Sequence, residues 1–184
     1  MSRYVAFLRA VNVGGHVVKM DVLRQLFESL GLERVETFIA SGNVVFESPE
    51  TDTSTLERRI MVRLEESLGN TVAAFVRTDA ELAEVAASRP FSADRLDTAV
   101  ARNVAFTHAP IDEETERKLL ALATEIDDFS VHRREVYWLC RKRQSESTFS
   151  NAVLEKVLGR PSTLRGWNTV TKMTAKWPPA ELGR

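Results

Sequence analysis

The sequence predicts an α+β fold of two tandem βαββαβ-type modules, the second incomplete, with a helical segment at the C-terminus. Three observations carry this expectation. Apolar residues switch along the chain between a period of about 2 and a period of about 3.6. Through residues 1–78 the resulting order is strand, helix, strand, strand, helix, strand, and a similar order starts again near residue 100. The length of 184 residues holds two small modules, each of roughly 80 to 100 residues.

Taken in order, the continuous apolar residues Tyr4, Val5, Ala6, Phe7 and Leu8 predict a central strand buried on both faces. Met20, Leu23, Leu26, Phe27 and Leu30 recur at helical spacing, and Gly31 follows as a helix terminator. Val35, Thr37 and Ile39, then Val44 and Phe46, alternate on either side of Ser41-Gly42-Asn43, which predicts a hairpin. Leu56, Ile60, Leu64 and Leu68 mark a second helix closed by Gly69-Asn70, and residues 71–76 predict the fourth strand. This order is the ferredoxin-like split arrangement, with both helices on one face of an antiparallel sheet. Residues 79–99 form a connecting segment, with a helix at 79–87 and a loop through Pro90.

The second module, residues 100–177, repeats the order without residue-by-residue identity. A strand is predicted at 101–107, a helix at 112–124, a hairpin from 129–131 and 136–140 turning at Arg133-Arg134, and a helix at 150–158. Residues 163–177 then read as helix in place of the last strand, with Leu164, Trp167, Val170 and Met173 on one face. Trp177-Pro178-Pro179 ends regular structure, which leaves residues 178–184 as a tail.

Composition limits the function classes. With 43% apolar residues and a net charge of -1, the chain is globular rather than disordered, collagen-like or disulfide-stapled. No stretch approaches the ~20 apolar residues of a membrane helix, and Arg9 interrupts the N-terminal run too early for a signal sequence, so a cytoplasmic protein without a membrane partner is expected. The lone Cys140 cannot form an internal disulfide, in line with a reducing compartment. Charge is unevenly placed: residues 1–128 carry 14 bases and 22 acids, residues 129–176 carry 10 bases and 3 acids. A basic C-terminal third can attract phosphate-bearing partners, or pair with the acidic part of its own chain.

Topology brings distant residues together. In the split arrangement the turn leaving the first strand and the hairpin joining the second and third lie on one sheet edge. That places Arg9, Asn12, Gly14 and Gly15 near Ser41, Gly42 and Asn43. Glycine pairs let main-chain N–H groups approach an anion, Arg9 supplies charge, and Asn12, Ser41 and Asn43 supply directional hydrogen bonds. The same residues are also ordinary loop and hairpin chemistry. Neither segment has the spacing of a P-loop or a dinucleotide fingerprint.

Four blocks carry a family resemblance. Val5-Ala6-Phe7-Leu8-Arg9-Ala10-Val11-Asn12-Val13-Gly14-Gly15, Ser41-Gly42-Asn43-Val44-Val45-Phe46, Asn151 with Glu155-Lys156-Val157-Leu158-Gly159, and Thr163-Leu164-Arg165-Gly166-Trp167-Asn168-Thr169-Val170-Thr171-Lys172 occur in the expected order. Together they resemble the motifs of the bacterial Domain of Unknown Function 1697 family, over nearly the whole chain. Ala10, Val11, Leu164 and Gly166 depart from the family pattern. The resemblance implies a two-part α+β fold with a ferredoxin-like first part, and it brings no established activity.

The last block has a physical reading as well. A helix at 150–158, a break at Gly159-Arg160-Pro161 and a second helix capped by Ser162 or Thr163 form a helix–turn–helix in a basic region. Arg165, Asn168, Thr169 and Lys172 are its candidate nucleic-acid or anion contacts; the alternative is a solvated face around a Trp167 and Val170 core. His16, His108 and His132 are too scattered for zinc, and no metal or cofactor is expected. His108 falls on the same edge as His132 and Arg133, a group that can hold a phosphate, serve acid–base chemistry or merely occupy loops. Tyr137 and Trp138 point to opposite faces of their strand and cannot form a two-ring platform for RNA.

No catalytic residue is identified. The expected function is binding of a phosphate-bearing small molecule or nucleic acid. Two alternatives stay open: an enzyme acting on a small phosphorylated or acidic metabolite, with Arg9 and Asn12 orienting it, and a protein-interaction module.

Overall fold

Strand β1 (Ser2–Arg9) runs through the middle of the first sheet, as its unbroken apolar run requires. A computed structural model describes residues 1–39 and 42–179. After β1 come α1 (Met20–Glu28), β2 (Glu33–Thr37), β3 (Asn43–Ser48), α2 (Thr53–Leu68) and β4 (Ala73–Thr78). The strands form an antiparallel sheet in the order β2-β3-β1-β4. Tyr4, Ala6 and Leu8 face the helices and pack with Leu23, Phe27, Leu56, Ile60 and Leu64. Val5 and Phe7, on the other face, are buried too, which is why the strand shows no alternation.

Helix ends follow their cap residues. Asp52 opens α2, its carboxylate accepting from the Ser54 and Thr55 amides at 3.2 and 3.1 Å, and Gly69 closes it at φ 73. A hydrogen bond from the Thr55 hydroxyl, with those from the two amides, holds the Asp52 carboxyl below its ordinary range. From α2, Arg59 donates to the Leu30 carbonyl at 2.7 Å and Arg63 Nε to Ser29 Oγ at 2.9 Å. Both cations thus lie where the dipole of α1 ends negative.

The chain continues through α3 (Asp79–Ala87), the short α4 (Ala93–Asp97), β5 (Ala101–Phe106), α5 (Glu113–Leu120), β6 (Asp127–His132) and β7 (Glu135–Cys140). Then come α6 (Asn151–Leu158), β8 (Thr163–Gly166) and α7 (Trp167–Lys176). The second sheet is antiparallel, in the order β6-β7-β5-β8. Two compact units result: residues 1–85 with the chain from Met173 on, and Ala86–Lys172. Asp112, expected inside the fifth helix, is its N-cap and accepts from the Thr115 amide at 2.8 Å.

The C-terminal segment corrects the sequence reading. Residues 163–166 are strand, not helix, so the second sheet gains its fourth strand: Leu164 lies opposite Ala105 and Arg165 opposite Val104. The cause is local. Asn151 Nδ2 donates to the Ser162 carbonyl at 3.0 Å, Ser162 Oγ to Asn151 Oδ1 at 2.9 Å, and the Ser162 amide to Glu155 Oε1 at 2.8 Å. This knot on α6 spends Ser162 where it would have capped a helix, and the open edge of β5 takes the next four residues as a ladder. Leu164, Trp167, Val170 and Met173 keep helical spacing, but only from Trp167 is the backbone helical. Without a second helix directly after α6, there is no helix–turn–helix.

A buried polar group anchors the second core. Trp138 Nε1 donates to Asp127 Oδ1 at 2.8 Å and Ser147 Oγ to Asp127 Oδ2 at 2.8 Å, among Phe129, Phe149 and Leu154. Cys140 belongs to the same cluster, and burial pushes its thiol up, away from reactive thiolate. Trp138 faces these helices while Tyr137, on the opposite face, is 2% exposed, so neither offers a stacking surface to RNA.

Candidate anion site

The exit of β1 and the β2–β3 hairpin meet on one rim. The Leu8 amide donates to the Gly42 carbonyl at 2.8 Å. A Cβ added at Gly42 would meet Leu8 Cβ at 3.1 Å and Val11 Cγ1 at 3.3 Å, and φ there is +79. Only glycine fits that approach and that backbone. Val11, though it sits in a loop, is buried against the first core and seats the loop on the hairpin. Asn70 Nδ2 donates to the Ala10 carbonyl at 3.0 Å, holding a residue whose φ of 61 is costly for alanine.

Beyond Val11 the loop turns outward. Val13 and His16 form an isolated bridge, the His16 amide donating to the Val13 carbonyl at 3.1 Å. Gly14 at φ 62 and Gly15 at φ 81 make the two-residue turn between them. Asn12 Oδ1 accepts from the Val18 amide at 2.9 Å and closes the loop from inside. That orientation leaves Asn12 Nδ2, with the Gly14 and Gly15 amides, as donors with no partner among the described residues. Asn12, Gly14 and Gly15 are exposed, and Arg9 is half-buried at the strand end. The rim therefore presents donors and positive charge, the complement of an anion.

Two expected contributors stand differently. Asn43 is 0% exposed, and its Nδ2 donates to the Phe38 carbonyl at 2.9 Å, so its amide braces the hairpin from within. Ser41 lies outside the described residues. Sequence reasoning missed Val11 and Asn70, the residues that hold the rim together. An apolar residue inside a glycine-rich loop was the available signal for Val11; Asn70 gave none beyond its place after a helix-ending glycine.

The basic C-terminal segment does not join this rim as a helical face. Arg165 is 8% exposed on β8; it donates from Nη1 to Thr163 Oγ1 at 2.7 Å and to the Leu164 carbonyl at 2.8 Å. Burial pushes its pKa down to about 10, which leaves it charged at neutral pH. Asn168 and Lys172 are exposed on α7, and Thr169 is half-buried. Among the described residues no three His, Cys, Asp or Glu side chains gather as metal ligands, and no helix is long and apolar enough to cross a membrane.

Fold and rim together define an α+β protein with two antiparallel sheets of matching strand order. The chain belongs to the family described as Protein of unknown function (DUF1697), whose model matches residues 1–137. The first two motif blocks lie inside that match; those beginning at Asn151 and Thr163 lie beyond it. Among solved structures the chain is similar to the conserved bacterial protein SP0830 from Streptococcus pneumoniae. The identity is 21%, the match covers 95% of this chain and 99% of that one, and the TM-score is 0.72, a likeness of fold. None of the curated proteins matches.

Proposed function

We propose that this is a cytoplasmic protein of two ferredoxin-like modules that binds a phosphate-bearing ligand on the first rim, through Arg9, Asn12, Gly14 and Gly15. The observation that supports this reading is the close approach of Gly42 to Leu8 and Val11, because it fixes a loop of unpartnered donors on a rigid sheet edge. The backbone of Gly42 and Asn43 completes the same rim. An anion there exchanges water for charge-assisted hydrogen bonds, the stronger class. A small ligand is favoured over nucleic acid, since Arg165 is buried and only Asn168, Thr169 and Lys172 of that segment are left for a polymer.

Calorimetric titration with inorganic phosphate tests the reading. Arg9→Ala is expected to weaken binding about tenfold or more, as loss of one charge-assisted contact does. Equal affinity in the two proteins would remove Arg9 from the site.

A further inference from the structure

The second sheet carries a small aromatic slot on the face opposite Trp138. Arg102 lies opposite Leu139 and Val104 opposite Tyr137, so alternation puts Arg102 and Tyr137 on that face together. Strand β8 ends at Gly166, opposite Asn103, which brings the next residue, Trp167, level with Arg102. The guanidinium carbon of Arg102 stands 5.6 Å from the centre of the Trp167 ring, a cation–π distance. The Tyr137 and Trp167 rings are 6.1 Å apart and tilted by 55°. Phe91 and Leu96, from the segment before β5, complete the apolar wall, and Arg89 joins Arg102 in the lining. The slot, open mouth included, holds about 280 Å³, short of the roughly 300 Å³ at which drug-sized pockets begin. It admits a single ring with one substituent, not a nucleotide.

Charge decides what the slot can hold. Arg89 and Arg102 are both exposed, and among the described residues neither joins an ion pair or donates a side-chain hydrogen bond. Two other arginines of the same unit show the contrast: Arg95 and Arg141 are both held on Asp128, at 3.2 and 3.1 Å. Resting over an indole leaves the N–H fork of Arg102 able to meet an oxyanion. Phe91 and Tyr137 are buried and form the back of the slot, whereas Trp167 is half-buried, so part of it stays open to a ligand. Rings beside two unpaired cations are the complement of an aromatic anion. Apolar surface withdrawn from water there adds to a charge-assisted hydrogen bond.

We propose that this slot binds a small aromatic anion, its ring against Trp167 and its oxyanion on Arg102 and Arg89. All of its lining belongs to the second unit, and the proposal does not rest on the first rim. Isothermal titration of the full chain with benzoate and with phenyl phosphate at low salt tests it, alongside the indole N–H resonance of Trp167. At least one of the two compounds is expected to saturate and to shift that resonance, and the tighter binder names the oxyanion. Arg102→Ala should weaken binding about tenfold or more. Arg89→Ala, which removes no ion pair or side-chain hydrogen bond among the described residues, should weaken it too. Benzyl alcohol, a ring without the charge, should bind about tenfold more weakly or worse, and Arg9→Ala should change nothing. No saturation by either anion, or wild-type affinity in both Arg102→Ala and Arg89→Ala, overturns the proposal. Binding lost in Arg9→Ala but kept in Arg102→Ala would put the compound on the first rim and overturn it as well.

Discussion

Gly42→Val should destabilise the first unit by about 3 kcal/mol and abolish binding at its rim. Two costs add. A β-branched residue held at φ +79 carries roughly 1–2 kcal/mol of backbone strain. Its Cβ would start 3.1 Å from Leu8 Cβ and 3.3 Å from Val11 Cγ1, and forcing extra carbon into a packed site costs roughly 1–3 kcal/mol. Gly14→Val is the comparison, because φ is +62 there and no atom lies within 4 Å of an added Cβ. It carries only the strain, about 1–2 kcal/mol. Urea denaturation of both variants measures the difference. Equal losses would mean that the loop and the hairpin are not pressed together at Gly42.

The second large effect belongs to the other unit. Asp127→Ala is expected to cost about 3 kcal/mol, since it strands the Trp138 indole N–H and the Ser147 hydroxyl that now donate to the carboxylate at 2.8 Å each. An unsatisfied buried donor costs roughly 1–3 kcal/mol. Asp127→Asn keeps the Oδ1 acceptor for Trp138 and should lose less. Chemical denaturation, with near-ultraviolet circular dichroism on the tryptophan environment, follows both. A loss below about 1 kcal/mol in Asp127→Ala would show that the network adds little to the second core.

What the sequence told, and what it hid, follows from the length and environment of each element. The α2 helix announced itself through four leucine and isoleucine positions over 16 residues and a glycine stop, a signal long enough to outweigh local noise. The convergence of the β1 exit with the hairpin is legible in the sequence, because strand order alone dictates which loops share an edge. Strand β8 is not. Four residues are too few to display a period of 2, and Leu164 happens to stand at helical spacing from Trp167. The decisive information sat in Asn151, Glu155 and Ser162, whose mutual bonds exist only after folding. Arg165 misled for the same reason, since a basic residue in a basic segment reads as surface until the strand carrying it is known. Asn43 was read as a ligand donor, with hairpin chemistry as the alternative, and its amide turns inward to the Phe38 carbonyl.

The same distinction applies to the candidate site. Glycines and an arginine on one rim were visible as residue types, whereas the orientation of Asn12 depends on the bond from Val18 that turns its oxygen inward. That bond turns the Asn12 Nδ2 outward beside the Gly14 and Gly15 amides, which is the core of the case for an anion. The most direct measurement is the amide proton–nitrogen spectrum of the full chain during titration with inorganic phosphate. The account predicts saturable downfield shifts of the Gly14 and Gly15 amides, lost in Arg9→Ala. Shifts confined to other residues, or none at those two glycines, would contradict it.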